Sequence, residues 1–415
     1  MSLVDVAVTG HIGAPVYIGA IAVGGTMFNM LYWVFNFLRM GTSGLTATAY
    51  GAADKDREAL VLWRSLVIAL IIGVAMIVFS RPLCDVVLQF MDADDATAKL
   101  AARYFDICIW GAPAVMATYV MAGWFVGMQD SKAALVMAVA GNIVNIAVSL
   151  WLVFRLGWKI EGVATGTTAA QWAGALCGAS IIYFRFRPRL MPLRKVFERR
   201  TLAAFFKLNS DLFLRTCCLV AVTVWFTHAG AVSGPDILAA NTLLLQLFML
   251  FSFFMDGFAY AGEALAGKYA GASDSVRLGS LVKALLQTGL LFAVIFALLY
   301  AFAGEWFMGI LAEDRHVVEV AREYLPWAVV LPFCGFSAFI WDGIFVGTVA
   351  SRGMLVSMAA AIAVFFILWF ALHTLLGNSG LWLAFNAYLL TRGVVEHLIW
   401  RRRHPRSCST SHSGS

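Results

Sequence analysis

The sequence predicts an all-α polytopic membrane protein: two six-helix lobes related by a parallel repeat, on a twelve-span plan. Three observations carry that prediction. Of the 415 residues, 61% are hydrophobic and only 13% charged, whereas a soluble chain is about a quarter charged. The apolar residues gather into eleven runs, each about the twenty residues that a helix needs to cross a bilayer core. Finally, two stretches set 220 residues apart are nearly the same.

The runs fall at 16–40, 60–80, 104–127, 133–154, 162–184, 201–226, 237–262, 281–303, 324–347, 354–376 and 379–400. Backbone groups in lipid must be satisfied internally, so each run is expected to be a helix. Lipid-facing barrel strands would alternate in polarity, and these runs do not. Pro113, Pro326 and Pro332 lie in two of the runs and are expected to free carbonyls and permit bending.

The repeat is read from "GWFVGMQDSKAALV" at Gly123 and "GIFVGTVASRGMLV" at Gly343, identical at seven of fourteen positions. The same offset, without a gap, aligns Tyr104 with Tyr324 and "GAADKDR" (51–57) with "GASDSVR" (271–277). Two homologous halves of six helices share one orientation, the parallel-repeat plan of many secondary transporters. The expected organisation is an N-terminal lobe over 1–184, a linker over 185–200, a C-terminal lobe over 201–400 and a tail over 401–415.

The second half begins its first helix near Thr201. At the same offset "MSLVDVAVTG" matches the latter part of that helix, "AVTVWFTHAG". The first half of helix 1 is therefore expected to be missing from this sequence, most simply through a misplaced start codon. The opening stretch carries no basic region of the kind that begins a signal peptide, and it contains an acid.

Charge sets the topology. The linker "RFRPRLMPLRKVFERR" holds seven Lys or Arg, and Lys132, Lys268, Arg352 and Arg401–Arg403 fall between alternate helices or in the tail. The intervening loops are acidic, with Asp92, Asp94 and Asp95 in one and Glu305, Glu313 and Asp314 in another. This positive-inside pattern puts the linker and the C-terminus in the cytoplasm. The net charge of +6 is then topology, and no nucleic-acid partner is expected.

Enzyme signatures are missing: the sequence has no GxSxG, HExxH, P-loop or dinucleotide fingerprint. Its seven cysteines and seven histidines are scattered without metal-ligand spacing. No enzyme activity, metal or cofactor is expected. Without a P-loop, energy must come from an ion gradient.

Ionisable groups inside spans are costly and mark function by default. Asp5 would lie mid-helix and mid-membrane in a complete first span. A carboxylate there can take a proton from one side and release it to the other, or bind Na⁺ or a cationic substrate. "GNIVNIAVS" puts Asn142, Asn145 and Ser149 on one stripe, and Thr165, Thr167, Thr168 and Gln171 follow in the next run. These surround a cation or proton site, or serve as hydrogen-bonding glue between helices. Arg39 pairs with an acid or snorkels to the cytoplasmic edge. In the second half Asp211 and Arg215, and Arg392 and Glu396, stand at i, i+4, where they can pair. Asp256 and Glu263 share a face, and Asp342 stands alone. These line a substrate cavity or form an internal polar network.

The chain resembles the multidrug and toxic compound extrusion (MATE) family, in its DNA-damage-inducible F (DinF) branch. The carrying motifs are "LVDVAVTGHIG" (3–13), "NFLRMGTSGLTATAYGA" (36–52), "LNSDLFLRT" (208–216), "DGFAYAGEALAG" (256–267), "YLPWAVVLP" (324–332) and "DGIFVG" (342–347). The resemblance implies twelve helices in two lobes. It implies exchange of H⁺ or Na⁺ for organic, often cationic, compounds by a rocking motion. It also places the family's coupling acid, from "VDTA", on Asp5, its helix 5 Asn on Asn145 and its helix 6 Thr on Thr167. Many members carry Asp in "NIVNIVLD" where this chain has Ser149, and a one-carboxylate site suits a proton better than a multi-ligand Na⁺ cage.

The expected protein is thus a secondary active efflux antiporter. It would work as a monomer in the bacterial cytoplasmic membrane, with organic cations or other xenobiotics and the lipid bilayer as partners. Two alternatives stand beside it: a lipid-linked or polysaccharide flippase of the same superfamily, and a non-transporting membrane protein on the same scaffold.

Overall fold

The computed structural model describes residues 15–91, 95–312 and 314–403. These residues are helical throughout, with short turns between. Asp5 lies outside them.

The helices pack into two compact units, one of residues 1–49 and 54–204, the other of 50–53 and 205–415. The first contains α1 (Pro15–Val34), most of α2 (Phe37–Gly51), α3 (Lys55–Val78), α4 (Ser80–Met91), α5 (Asp95–Cys108), α6 (Ala112–Gly127), α7 (Ser131–Leu150), α8 (Ile160–Ile181) and the short α9 (Leu193–Val196). Within it α8 is central, packed on α5, α6 and α7. The second holds most of α10 (Arg199–Val232), then α11 (Pro235–Gly271), α12 (Ser275–Leu311), α13 (Arg315–Gly347), α14 (Ser351–Leu376) and α15 (Asn378–Arg403). There α13 is central, packed on α11, α12 and α15.

Among the described residues nine helical stretches are long and apolar enough to cross a bilayer. The two remaining predicted spans, α8 and α15, are helices of 22 and 26 residues. Thr and Gln in α8, and Asn, Arg and Glu in α15, lower their hydropathy. These polar residues belong to the interiors described below.

Two predicted spans are each built from two helices: the run 16–40 is α1 and the start of α2, joined by a turn at 35–36. The run 104–127 is α5 and α6 joined by a 3₁₀ turn at Ile109–Gly111, and Pro113 falls in the first turn of α6. No intrahelical donor is needed there, so Pro113 starts a helix rather than bending one. Pro326 and Pro332 do lie inside α13. The runs 133–154 and 162–184 both finish in a π-helical turn, at Trp151–Arg155 and Ile182–Phe186.

The 220-residue offset reappears in the backbone. Ala53 and Ser273 have φ of 53° and 56°, Gln129 and Val349 have 63° and 56°, and Gly157 and Gly377 have 67° and 53°. A left-handed residue costs a side-chain-bearing amino acid roughly 1–2 kcal/mol. The same tight turns must therefore be required at the same places in each half. After the first of them Asp54 and Asp274 cap the next helix, each accepting an N–H at 2.9 Å, from Arg57 and Arg277.

Helix packing repeats as well. A Cβ at Gly123 would strike the Arg39 carbonyl, and one at Gly343 the Ala259 carbonyl. Four residues on, Gly127 lies against the Ser43 carbonyl and Gly347 against the Glu263 carbonyl. In each half a small-xxx-small pair lets two helices touch backbone to backbone, the close approach that membrane helices favour.

Candidate functional site

The first unit holds a half-open cavity of about 510 Å³, within the range of small-molecule sites. α1 supplies Thr26, Asn29 and Tyr32, α5 supplies Tyr104, and α8 supplies Thr167 and Gln171. Small residues keep the space open: Gly25 on α1, Gly141 on α7 and Gly174 on α8 line it. Aromatic faces form one side. Phe28 stacks on Phe105 with centroids 4.8 Å apart, and Tyr32 tilts against Phe28 at 5.2 Å. Gly24 admits the Tyr104 ring, which a Cβ would meet at 2.6 Å. None of the described lining residues carries a formal charge.

Beside this space the structure joins two of the predicted residues. Asn145 on α7 donates from Nδ2 to the Thr167 hydroxyl on α8 at 3.3 Å, and both side chains are buried. One turn further along α7, Ser149 is fully buried, and a Cβ at Gly166 would strike its hydroxyl. Thr168 turns away and donates to the Ala164 carbonyl at 3.0 Å. Asn142 is exposed, so the predicted stripe is buried only at Asn145 and Ser149. Arg39 is half-buried and donates to Asn36 Oδ1 at 3.3 Å; it does not line the cavity.

The second unit concentrates its charge. Arg215 from α10 and Arg392 from α15 both donate to Oδ2 of Asp342 on α13. Glu396, fully buried one turn beyond Arg392, accepts from the Ser357 hydroxyl on α14 at 2.9 Å. The Arg392 guanidinium also lies 5.8 Å over the Phe339 ring. The i, i+4 pairs expected within α10 and α15 are replaced by pairs between helices. Asp211 accepts from Ser351 at 2.8 Å instead of meeting Arg215. The two guanidiniums share one carboxylate, Asp342, and that pairing is what makes their burial tolerable. Glu263 is buried on α11 and Asp256 is half-buried.

Sequence reasoning singled out most of these charges but missed how they meet. It also missed the aromatic wall of the cavity. Tyr104 was visible only as a partner of Tyr324 in the repeat; Phe28 and Tyr32, like Phe105 stacked behind Phe28, sit in apolar runs and carry no signal of their own. No group of His, Cys, Asp or Glu among the described residues could hold a metal ion. The arrangement offers an uncharged, partly aromatic chamber in one half and a closed ionic core in the other.

Residues 1–151 and 211–369 match the family described as MatE. Over 404 residues the chain is 35% identical to the DNA damage-inducible protein F of Escherichia coli, covering 97% of this chain and 88% of that protein. Over 353 residues it is 25% identical to the probable multidrug resistance protein NorM of Photorhabdus laumondii, covering 82% and 74% of the two. Its backbone superposes with a TM-score of 0.83 on an outward-facing conformation of a multidrug resistance MATE family transporter, at 20% identity and covering 98% and 92% of the two chains.

Proposed function

The chain belongs to the MATE family, and we propose that it is a secondary active efflux antiporter, exporting organic and often cationic compounds in exchange for H⁺ by alternating access. The observation that carries this reading is the chamber of the first unit, with the Asn145–Thr167 pair beside it. Its aromatic faces offer broad apolar contact and attract cations. Its few hydroxyls and amides accept many shapes without demanding one. Asp5 is the coupling residue: protonated from one side it releases cargo, and deprotonated on the other it takes up cargo. Asn145 and Thr167 hold the polar wall on which that exchange turns.

H⁺ rather than Na⁺ is the favoured ion. Ser149 brings no second carboxylate, and its hydroxyl is packed against Gly166, which leaves little room for a multi-oxygen cage. The protein acts without a cofactor, as a monomer in the bacterial cytoplasmic membrane, with linker and C-terminus on the cytoplasmic side. A flippase for phosphate-bearing lipids would need cations inside the spans that are free to meet phosphate; Arg215 and Arg392 are both paired with Asp342.

The test is efflux of a fluorescent organic cation from vesicles energised in turn by a proton and a sodium gradient. Efflux that follows the proton gradient and stops with an uncoupler is expected. Efflux indifferent to both gradients would sink the antiport reading.

A further inference from the structure

The segment that follows α8 is fixed against the first unit at several points, and the pinning determines what it exposes. Arg185 pairs with Asp130 at 2.8 Å, and Phe186 packs on Trp124 with centroids 4.9 Å apart. At Arg187 the chain turns through a left-handed residue (φ 46°), its N–H bonded to the Ile182 carbonyl. The Trp63 indole then donates to the Arg189 carbonyl at 3.0 Å, and the Arg189 side chain reaches Asp56 at 3.1 Å. Finally the short α9 ends on Arg64, which is 4% exposed and donates to the carbonyls of Val196 at 2.9 Å and Lys195 at 3.2 Å. Arg64 acts as a side-chain cap for orphan C-terminal carbonyls.

The depth of this strap follows from α3. That helix has 24 residues and so is about 36 Å long, slightly more than a hydrocarbon core. Arg64 is its tenth residue, roughly 14 Å below its start. A strap held from Asp56 to Arg64 therefore runs along the first ten residues of α3, from the charged turn Lys55–Glu58 that belongs at the water-facing boundary of the bilayer.

What it shows outward is mixed. Leu190 is 84% exposed and Phe197 48%. Interleaved with them, Arg187, Arg194, Lys195 and Arg199 are exposed and form no ion pair among the described residues. In water the apolar pair would be unfavourable. At a membrane interface both kinds of residue are satisfied, the apolar ones among acyl chains and the cations on phosphates.

We propose that the strap 187–199, pinned by Arg64, is a binding surface for anionic phospholipid headgroups. This does not depend on the transport reading, only on the chain lying in a bilayer. The partner is a lipid rather than a soluble phosphate because exposed apolar side chains alternate with the cations.

The test uses the full chain in nanodiscs, with a fluorophore on Leu190→Cys after the accessible native cysteines are replaced. Brominated phosphatidylglycerol and brominated phosphatidylcholine serve as quenchers at equal mole fraction. Several-fold stronger quenching by the anionic lipid is expected. Salt should weaken it, while millimolar glycerol phosphate should not compete. Joint replacement of Arg187, Arg194, Lys195 and Arg199 by Gln should abolish the preference, and Arg64→Gln should reduce it by freeing the strap. Equal quenching by the two lipids, quenching by neither, or an unchanged preference in the quadruple variant would overturn the proposal. None of these results bears on efflux.

Discussion

The two halves share a scaffold and differ in what they enclose. Turn for turn they match: the left-handed residues at 53, 129 and 157 recur at 273, 349 and 377. Glycine for glycine they match too, at 123 and 127 against 343 and 347. The side chains diverge at corresponding positions, and two of the first half's counterparts to the buried charges, Trp172 and Leu176, are exposed. Asp342, Arg392 and Glu396 stand where the first half has Ala122, Trp172 and Leu176. Conversely, Asn145, Ser149 and Thr167 stand where the second half has Phe365, Trp369 and Ala387. Backbone-to-backbone packing is demanding, so both copies kept it. Side chains pointing into the lobe are not bound by that demand, so one copy acquired a neutral polar wall and the other a charge cluster.

The comparison can be broken most forcefully at Asp342. Asp342→Ala leaves Arg215 and Arg392 buried without their shared anion, a loss expected to cost about 3–5 kcal/mol. Thermal melting of the purified variant reads it, and an unchanged midpoint would mean that the cluster does not hold the half together. Next come the glycines. Gly123→Val and Gly343→Val should each cost about 1–3 kcal/mol by forcing paired helices apart. The two losses should be similar, because the same contact is made twice. A loss in one half only would end the claim of a shared scaffold.

Smaller effects sharpen the asymmetry. Thr167→Val removes the acceptor of the Asn145 amide, a loss of about 1 kcal/mol. It should lower efflux well before it lowers melting; the reverse order would make the pair structural. Read in ion choice rather than in stability, Ser149→Asp, which also lowers melting by burying a larger ionisable group against Gly166, should move efflux from the proton gradient toward sodium dependence. Unaltered ion dependence would leave the serine without a part in ion choice.

How much of this was legible in the sequence follows from the same contrast. Spans and halves were readable because length, hydropathy and a constant offset are properties of one strand of text. The glycines that carry the packing lay inside the very stretches that revealed the repeat. The charge cluster was not readable. Spacing along one helix pairs Asp211 with Arg215 and Arg392 with Glu396, whereas tertiary packing brings α10, α13, α14 and α15 together and gives both arginines to Asp342. Asn142 shows the same limit. It shares an angular position with Ser149, but periodicity fixes only the angle. Gly166 of α8 packs against Ser149, while Asn142 is left exposed. Pro113 was misread because the break before it, a single 3₁₀ turn, hides inside a continuous apolar run.

The central claim is that ion coupling belongs to the first half and that the second half's buried charge is structural. Its most direct test compares two carboxylates, one from each half. Asp5→Asn and Glu396→Gln would be assayed side by side for proton-driven efflux of an organic cation, with expression and melting followed in parallel. The Gln side chain can still accept from Ser357, so the second variant keeps its hydrogen bond. The account predicts that Asp5→Asn folds but loses gradient-driven efflux, while Glu396→Gln retains it. Coupling that survives in Asp5→Asn and disappears in a well-folded Glu396→Gln would contradict it.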